Sequence, residues 1–524
     1  MFEQSPSRGS KYYDHVDQQL LGHEASVHSE NRKLLAKRLL KGFSVSYFYF
    51  ALNNLGYFID LYLISLLNNP ILIGAVGLGN TWIEFPMLSL IISLNSSLLT
   101  LLSQALGKQD HQLAAGYLQK ALIVNSAIYI ICAVILLAAK QILVRLGYEP
   151  ALVQETSQYL IFMTTGLFGS FLFDTFNNVA HAHKMLKAPI YIQTLGILIE
   201  CLLSYYLIIV RNLGLTGLGI SRTICEILKA SALIMYLFRS KVFEKTKIYF
   251  TKEALIQYLT KKGLGDVWQQ FLFTMKTGAL AYFEWFFEFL NVMMMASFDA
   301  KSYAASVTAS QVLTVVWCLP MALSNTLSVY VSAAMGENDT WKAQEYIKVA
   351  SRITVVMIPS VVIGVGLFAW TIPQIFTADE EIVNIAGWLI IIYLISFPFD
   401  AFQYLYASIS RSVDLESEAL KYSVFSYYVL GLPSCVFFAF VLHFRVKGIW
   451  VAGVLERIVN CLLLRTMLKK TDFESQAYQI SRRLKTEHQD YICASPRKQY
   501  LHVPLWENAL REIEMRNIQT DGNA

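Results

Sequence analysis

Glu284 and Glu288 stand in AYFEWFFEFLNVMMM (281–295), a run that is otherwise apolar and aromatic. Four residues apart, they share one face of a helix. An ionised carboxylate at mid-bilayer costs about 2.5–3.5 kcal/mol on the mildest scale. It must therefore face the inside of a bundle, find a partner or carry a proton. A carboxyl that alternates between a proton and an organic cation can exchange one for the other. Two on one face ionise stepwise, because the first charge makes the second harder to place. The competing reading is a fixed ion pair, for example with Lys276, about two turns away.

Other residues offer related chemistry. Asp400 lies in SFPFDAFQY (396–404), four residues before Tyr404. Asp60 lies in GYFIDLYLISLL (56–67) and reads either as a site carboxylate or as a solvated group near the outer end. Asp174 lies in SFLFDTF (170–176). Trp285, Phe286, Tyr404, Tyr427 and Tyr428 offer ring faces that attract a cation, or else pack as ordinary core. Arg222 and Glu226 are spaced to pair along one helix, and Arg457 follows Glu456 at a similar depth. These read as internal salt bridges. His181 and His183 read as solvated residues at the end of an apolar segment.

The elements that position these groups must be membrane helices. The chain has 524 residues, 55% hydrophobic and 15% charged, where a soluble domain has about a quarter charged. Leu122–Ala139 and Thr354–Trp370 carry no charge and are each about long enough to cross a hydrocarbon core of about 30 Å. Apolar blocks predict twelve spans, starting near residues 44, 72, 117, 155, 189, 215, 270, 303, 347, 383, 421 and 447. With the N-terminus inside, the inner loops and flanks hold roughly four times as many Lys and Arg as the outer loops. The outer set is Lys140, Arg145, Arg211, Lys301, Arg445 and Lys447. That asymmetry predicts cytoplasmic termini. The net charge of +5 follows from topology, and no nucleic-acid partner is expected.

The domain reading is a cytoplasmic tail (1–40), a six-helix lobe (41–240), a basic linker (241–268), a second six-helix lobe (269–470) and a cytoplasmic tail (471–524). The polar first forty residues hold no signal-peptide core. Six of the seven cysteines (Cys132, Cys201, Cys225, Cys318, Cys435 and Cys461) fall in apolar spans, which argues against a disulfide framework. No C-x-x-C pair suggests a metal, and no Walker loop suggests ATP. The Asn338-Asp-Thr sequon falls on the inside, where it is not used. SPSR and SPRK in the two tails read as phosphosites.

The chain also repeats itself. SQALGKQDHQLAAGYLQK (103–120) and SAAMGENDTWKAQEYIKV (332–349) coincide at six of 18 positions, and SFLFDTF matches SFPFDAF (396–402). Each copy of the longer motif follows the second span of its half. Six spans per copy is an even number, so the copies are parallel. The fold class is therefore all-α integral membrane, twelve helices in two parallel six-helix repeats around a central cavity. Transporters rock such halves about a central site.

These segments resemble the multidrug and toxic compound extrusion (MATE) transporters. LLSQALGKQD is similar to that family's segment after span 2, and LPMALSNTLSVYVSAAMGENDTWKA to its span 8 and the following loop. YYVLGLP (427–433) and VKGIW (446–450) resemble spans 11 and 12; FEWFFE and TDFE (471–474) resemble the eukaryotic branch. The resemblance implies that Glu284 and Asp400 are the acidic pair of the second half. It makes Glu288 the second span 7 glutamate of the eukaryotic branch, and likens Asp60 to a span 1 acid of prokaryotic members. This chain departs from the pattern at Tyr330 (usually Arg), Ala333 and Ser204 (usually Asn), at Ser410 and Ser412 in a usually Gly-rich stretch, and at Arg222, Glu226 and Lys229 in span 6. The resemblance implies a cation-coupled antiporter, not an enzyme, without cofactor or metal. It would exchange protons or sodium for organic cations or xenobiotics, as a monomer in a plasma or vacuolar membrane. Rival readings are a lipid-linked oligosaccharide flippase of the same superfamily and a non-transporting receptor or scaffold.

Overall fold

The computed structural model describes residues 8–494, apart from 68, 85, 86, 88, 146, 148, 251–255, 257, 259, 296 and 378. All regular secondary structure among the described residues is helical. The twelve expected spans appear in order. Span 1 is Arg8–Ser65; span 2 is Pro70–Ile83 followed by Ser89–Gly107; span 3 is His111–Leu137. Spans 4, 5 and 6 are Pro150–Ala182, Lys187–Tyr205 and Gly214–Arg239. Spans 7, 8 and 9 are Lys261–Met295, Ala300–Gly336 and Thr340–Leu367. Span 10 is Glu380–Ser412, span 11 begins at Glu416–Val424 and continues through Leu432–Val436, and span 12 is Arg445–Lys469. Between spans 6 and 7 lies a short helix, Lys241–Lys247. Residues 482–494, the end of the last helix (Phe473–Ala494), belong to a second compact unit. The SPRK motif falls outside the described residues, as does SPSR except for Arg8.

Eight of these helices are long and apolar enough to cross a membrane on length and composition alone. The other four are spans 1, 6, 7 and 12. They carry Asp60; Arg222, Glu226 and Lys229; Glu284 and Glu288; and Glu456 and Arg457. Average hydropathy therefore fails on the helices that hold much of the ionic chemistry.

The repeat is written into the backbone. Non-glycine residues in the left-handed region fall at matching positions of the two halves: Gln109 (φ 62°) and Asn338 (φ 61°), then Lys184 (φ 60°) and Asp414 (φ 59°), then Asn212 (φ 52°) and His443 (φ 56°). That conformation costs an ordinary residue about 1–2 kcal/mol, so its recurrence marks the same turn built twice. Asp110 and Asp339 then cap spans 3 and 9 alike. Each carboxylate accepts the backbone N–H of the residue three positions on, Leu113 or Lys342, at 2.9 Å.

Each half has its own apolar core. One contains Ile64, Met87, Tyr159, Phe171 and Leu218, the other Phe287, Leu389, Phe397, Tyr427 and Ile449. The halves meet where spans 2 and 8 cross. A Cβ on Gly107 would overlap the Ala333 carbonyl, and one on Gly336 would overlap the Gln104 carbonyl. Gly107 and Gly336 occupy the same position of the repeated motif, so the crossing is self-complementary. Nearby, the Gln104 amide donates to Ser412 O (3.2 Å) and Asp414 Oδ1 (3.1 Å). Arg32 pairs with Glu345 at 3.3 Å. This is the end of the bundle with the basic loops.

Candidate functional site: carboxylates between helices

In the second half, span 7 presents Glu284 half-buried and Glu288 exposed. The Tyr404 hydroxyl of span 10 donates to Glu284 Oε1 at 2.6 Å. Trp317 Nε1 of span 8 donates in turn to the Tyr404 oxygen at 2.7 Å. Trp285 stands edge-on to Trp317, with ring centres 6.1 Å apart. Glu284 thus has two aromatic neighbours and a hydroxyl donor. Among the described residues it has no basic group within ion-pair distance.

Glu288 and Asp400 do have one. Arg457 of span 12 places Nη2 at 3.1 Å from Glu288 Oε1 and Nε at 3.3 Å from Asp400 Oδ1. The guanidinium also lies 5.6 Å from the centre of the Tyr393 ring, and the Tyr393 hydroxyl donates to Asp400 Oδ2 at 2.9 Å. The base expected to compete for the span 7 acids, Lys276, is exposed and enters none of these contacts. Glu456, beside Arg457, is buried, and its Oε1 has no hydrogen-bond partner.

The first half holds a second set. Asp60 is not solvated but buried, and accepts Arg222 Nη1 at 2.7 Å. Arg222 Nε lies 3.7 Å from Glu200 of span 5, and its guanidinium is 4.0 Å from the centre of the Tyr57 ring. The expected Arg222–Glu226 pair is therefore corrected. Arg222 reaches across the lobe to two buried carboxylates, and Glu226 pairs with Lys229, three residues on, at 2.7 Å. Asp174 stands apart from that network of ion pairs; the Tyr49 hydroxyl donates to its Oδ1 at 3.1 Å.

Two more expectations need correction. Tyr427 is 2% exposed, in core contact with Phe287 (ring centres 5.3 Å apart), so it forms no wall in this conformation. Its hydroxyl accepts from Gln403 (2.8 Å) and Asn460 (3.1 Å). Tyr428 is half-buried and donates to Phe283 O at 2.8 Å. His181 is buried rather than solvated. His183 Nε2 and His111 Nδ1 each lie 3.1 Å from the Thr246 hydroxyl, which ties the short inter-lobe helix to spans 3 and 4. Sequence reasoning passed over Glu200, a lone charge in the run LGILIECLLSYYL, where the insertion cost alone marks it.

The MatE family model matches residues 46–206 and 280–437, once in each half. The chain belongs to the MATE family. Among curated MATE-type relatives, the multidrug and toxin extrusion protein 2 of Oryctolagus cuniculus is 22% identical over 395 residues, 75% of this chain and 63% of that protein. The chain thus spans less than two thirds of that relative's length. Protein DETOXIFICATION 12 of Arabidopsis thaliana is 20% identical over 411 residues, 77% of this chain and 83% of that protein. The crystal structure of the eukaryotic MATE transporter AtDTX14 superposes with a TM-score of 0.78 at 18% identity, covering 86% of this chain and all of that one. The fold is therefore that of MATE transporters. Tyr330, where the family usually has Arg, lies under the Lys184 ammonium (5.7 Å to the ring centre) and against Tyr346. A cation stays at that position, supplied by the turn between spans 4 and 5.

Proposed function

We propose that this protein is a secondary active antiporter. It expels organic cations or other xenobiotics in exchange for protons by alternating access of its two halves. The observation that carries this reading is Glu284: an intramembrane carboxyl with a tyrosine donor, aromatic neighbours and no basic partner among the described residues. A paired carboxylate is already neutralised. An unpaired one must take up a proton or a cation, and it serves one at a time. Proton entry on the outer side neutralises Glu284 and releases the bound cation; proton loss on the inner side restores the negative site. Asp400, Glu288 and Arg457 complete this site, with Trp285 and Tyr404 as its wall. Asp174, bonded to Tyr49, is the equivalent unpaired acid of the first half. Asp60 serves that half as an ion-pair acid.

One elementary charge moved through 100 mV supplies about 2.3 kcal/mol, so one proton supports a modest substrate gradient. Sodium is the alternative coupling ion. A lipid-linked oligosaccharide flippase would want cations to meet phosphates, whereas around Glu284 the carboxylates Glu288, Asp400 and Glu456 outnumber the guanidinium groups of Arg457 and Arg411. The reading places both termini in the cytoplasm and the protein, as a monomer, in the plasma or vacuolar membrane. Inverted vesicles with a cationic dye supplied outside test it. Uptake should follow an imposed pH gradient and persist without sodium. A sodium requirement would reassign the ion, and no uptake under either gradient would favour a receptor or scaffold.

A further inference from the structure

We propose that Arg457 is a tethered stand-in for the substrate's positive charge, and that it sets which substrate charge the second-half site accepts. The inference rests on the antiport reading of that site. Its physical basis is a competition. Glu288 and Asp400 come from spans 7 and 10, yet one guanidinium from span 12 meets both, at 3.1 and 3.3 Å. The side chain keeps about a fifth of its surface open, and Glu288 half of its own. The bridge is therefore accessible on the Glu288 side and closed on the Asp400 side, where Tyr393 donates to the second oxygen and lies beneath the guanidinium. A cation that approaches Glu288 meets Arg457 already there.

The charge count decides the consequence. Within the bridge itself, leaving aside the buried Glu456 that every variant below retains, Glu288, Asp400 and Arg457 together carry one net negative charge, which suits a single positive charge. Without Arg457 the same two carboxylates carry two, which suits a dication or two separate cations. Removing one partner of a buried pair strands the other charge, and that charge seeks compensation from whatever cation is available. When the substrate leaves, Arg457 returns to Glu288 and bridges the two acids again. Proton exchange then falls to Glu284, which Arg457 does not reach. The first half repeats the arrangement: Arg222, also from the last span of its half, lies between acids of two other spans and against a tyrosine ring. There the guanidinium and both acids are closed off, with side chains 8% (Arg222), 4% (Asp60) and 7% (Glu200) exposed. That copy is fixed, and the one at Arg457 is the exchangeable one.

The test uses the full-length protein in detergent and in proteoliposomes, with a mono-quaternary and a bis-quaternary ammonium of similar size as probes. Wild type should bind the singly charged probe in preference. Arg457→Gln should shift the ratio toward the doubly charged probe by about tenfold or more. Glu288→Gln combined with Arg457→Gln, which removes one charge of each sign, should return the preference toward wild type. That double variant also keeps the test open if the single one folds poorly. Arg457→Lys should keep the wild-type preference. An unchanged ratio in Arg457→Gln, or in the double variant a preference for the doubly charged probe, would overturn the proposal and leave a static brace. Proton-driven flux measured on the same samples separates the two readings. Flux with an unshifted ratio removes the competition alone, whereas a shifted ratio without flux removes the transport reading alone.

Discussion

Arg222→Gln and Asp60→Asn both break the same 2.7 Å contact, yet they should differ in cost. Arg222→Gln leaves Asp60 and Glu200 together without their cation; both are buried, at 3% and 5% exposure. Removing one member of a buried ion pair costs about 3–5 kcal/mol. Asp60→Asn leaves Arg222 beside Glu200, 3.7 Å away, and an amide can still accept a guanidinium N–H. Its cost is one charged hydrogen bond, about 1.5–3 kcal/mol. The double variant removes one charge of each sign. Groups in direct contact couple by roughly 0.5–3 kcal/mol, so it should cost less than the sum of the singles. The assay is the inactivation half-life of the purified protein in detergent over a temperature series, since membrane proteins of this size commonly unfold irreversibly. Asp60→Asn should also keep most of its transport per folded molecule. If it unfolds as readily as Arg222→Gln, the predicted difference in cost is refuted; if it folds normally and loses all proton-driven flux, the ion-pair assignment fails and Asp60 is a coupling carboxylate.

Three further outcomes follow from the same geometry. Tyr404→Phe removes the donor to Glu284 and the acceptor of Trp317; flux should fall and stability drop by about 1–3 kcal/mol, and unchanged substrate affinity and flux would remove Tyr404 from the site. Gly336→Ala should destabilise by about 1–3 kcal/mol or more through overlap with the Gln104 carbonyl, whereas Gly364→Ala, with nothing within 4 Å, should be near neutral; equal effects would mean that the helix crossing tolerates separation. The last concerns pH. His183 Nδ1 donates to Val179 O at 2.9 Å, so its Nε2 must accept from Thr246, and burial holds the imidazole below its ordinary value of about 6.5. A depressed folded-state value means that this contribution is present above about pH 6.5 and is lost as the pH falls through the folded-state value. Thr246→Val should therefore lose stability relative to wild type at pH 8, with the gap closing toward pH 5; a gap that widened in acid would reverse the assignment of donor and acceptor.

The sequence was legible where the bilayer imposes one rule on every residue. Each apolar block became a helix, and the doubled SQALGKQD and SAAMGEND segments carried the repeat down to matching left-handed turns at Gln109 and Asn338. The acids Glu284 and Asp400 announced themselves by the cost of their setting. Their partners did not. Arg457 lies 57 residues from Asp400 and 169 from Glu288 along the chain, and Arg222 lies 162 from Asp60. Local spacing suggested Arg222–Glu226 because i, i+4 neighbours share a face. Two carboxylates across the lobe offered Arg222 a drier and more complete setting, and Lys229 satisfied Glu226 from one turn on. Tyr427 failed as a wall residue for a related reason. Helical period places a ring on a face, but whether that face meets a cavity or Phe287 depends on which helix packs against it.

Glu284 bears the weight of the functional account, and one measurement addresses it. Full-length wild type and Glu284→Gln are reconstituted in proteoliposomes with a cationic dye and an imposed pH gradient, and flux is counted per folded molecule. The substitution keeps the shape and the acceptor for Tyr404 while removing the exchangeable proton. The account predicts gradient-driven flux in wild type and none in Glu284→Gln, with both proteins equally stable in detergent. Undiminished proton-driven flux in Glu284→Gln would contradict it.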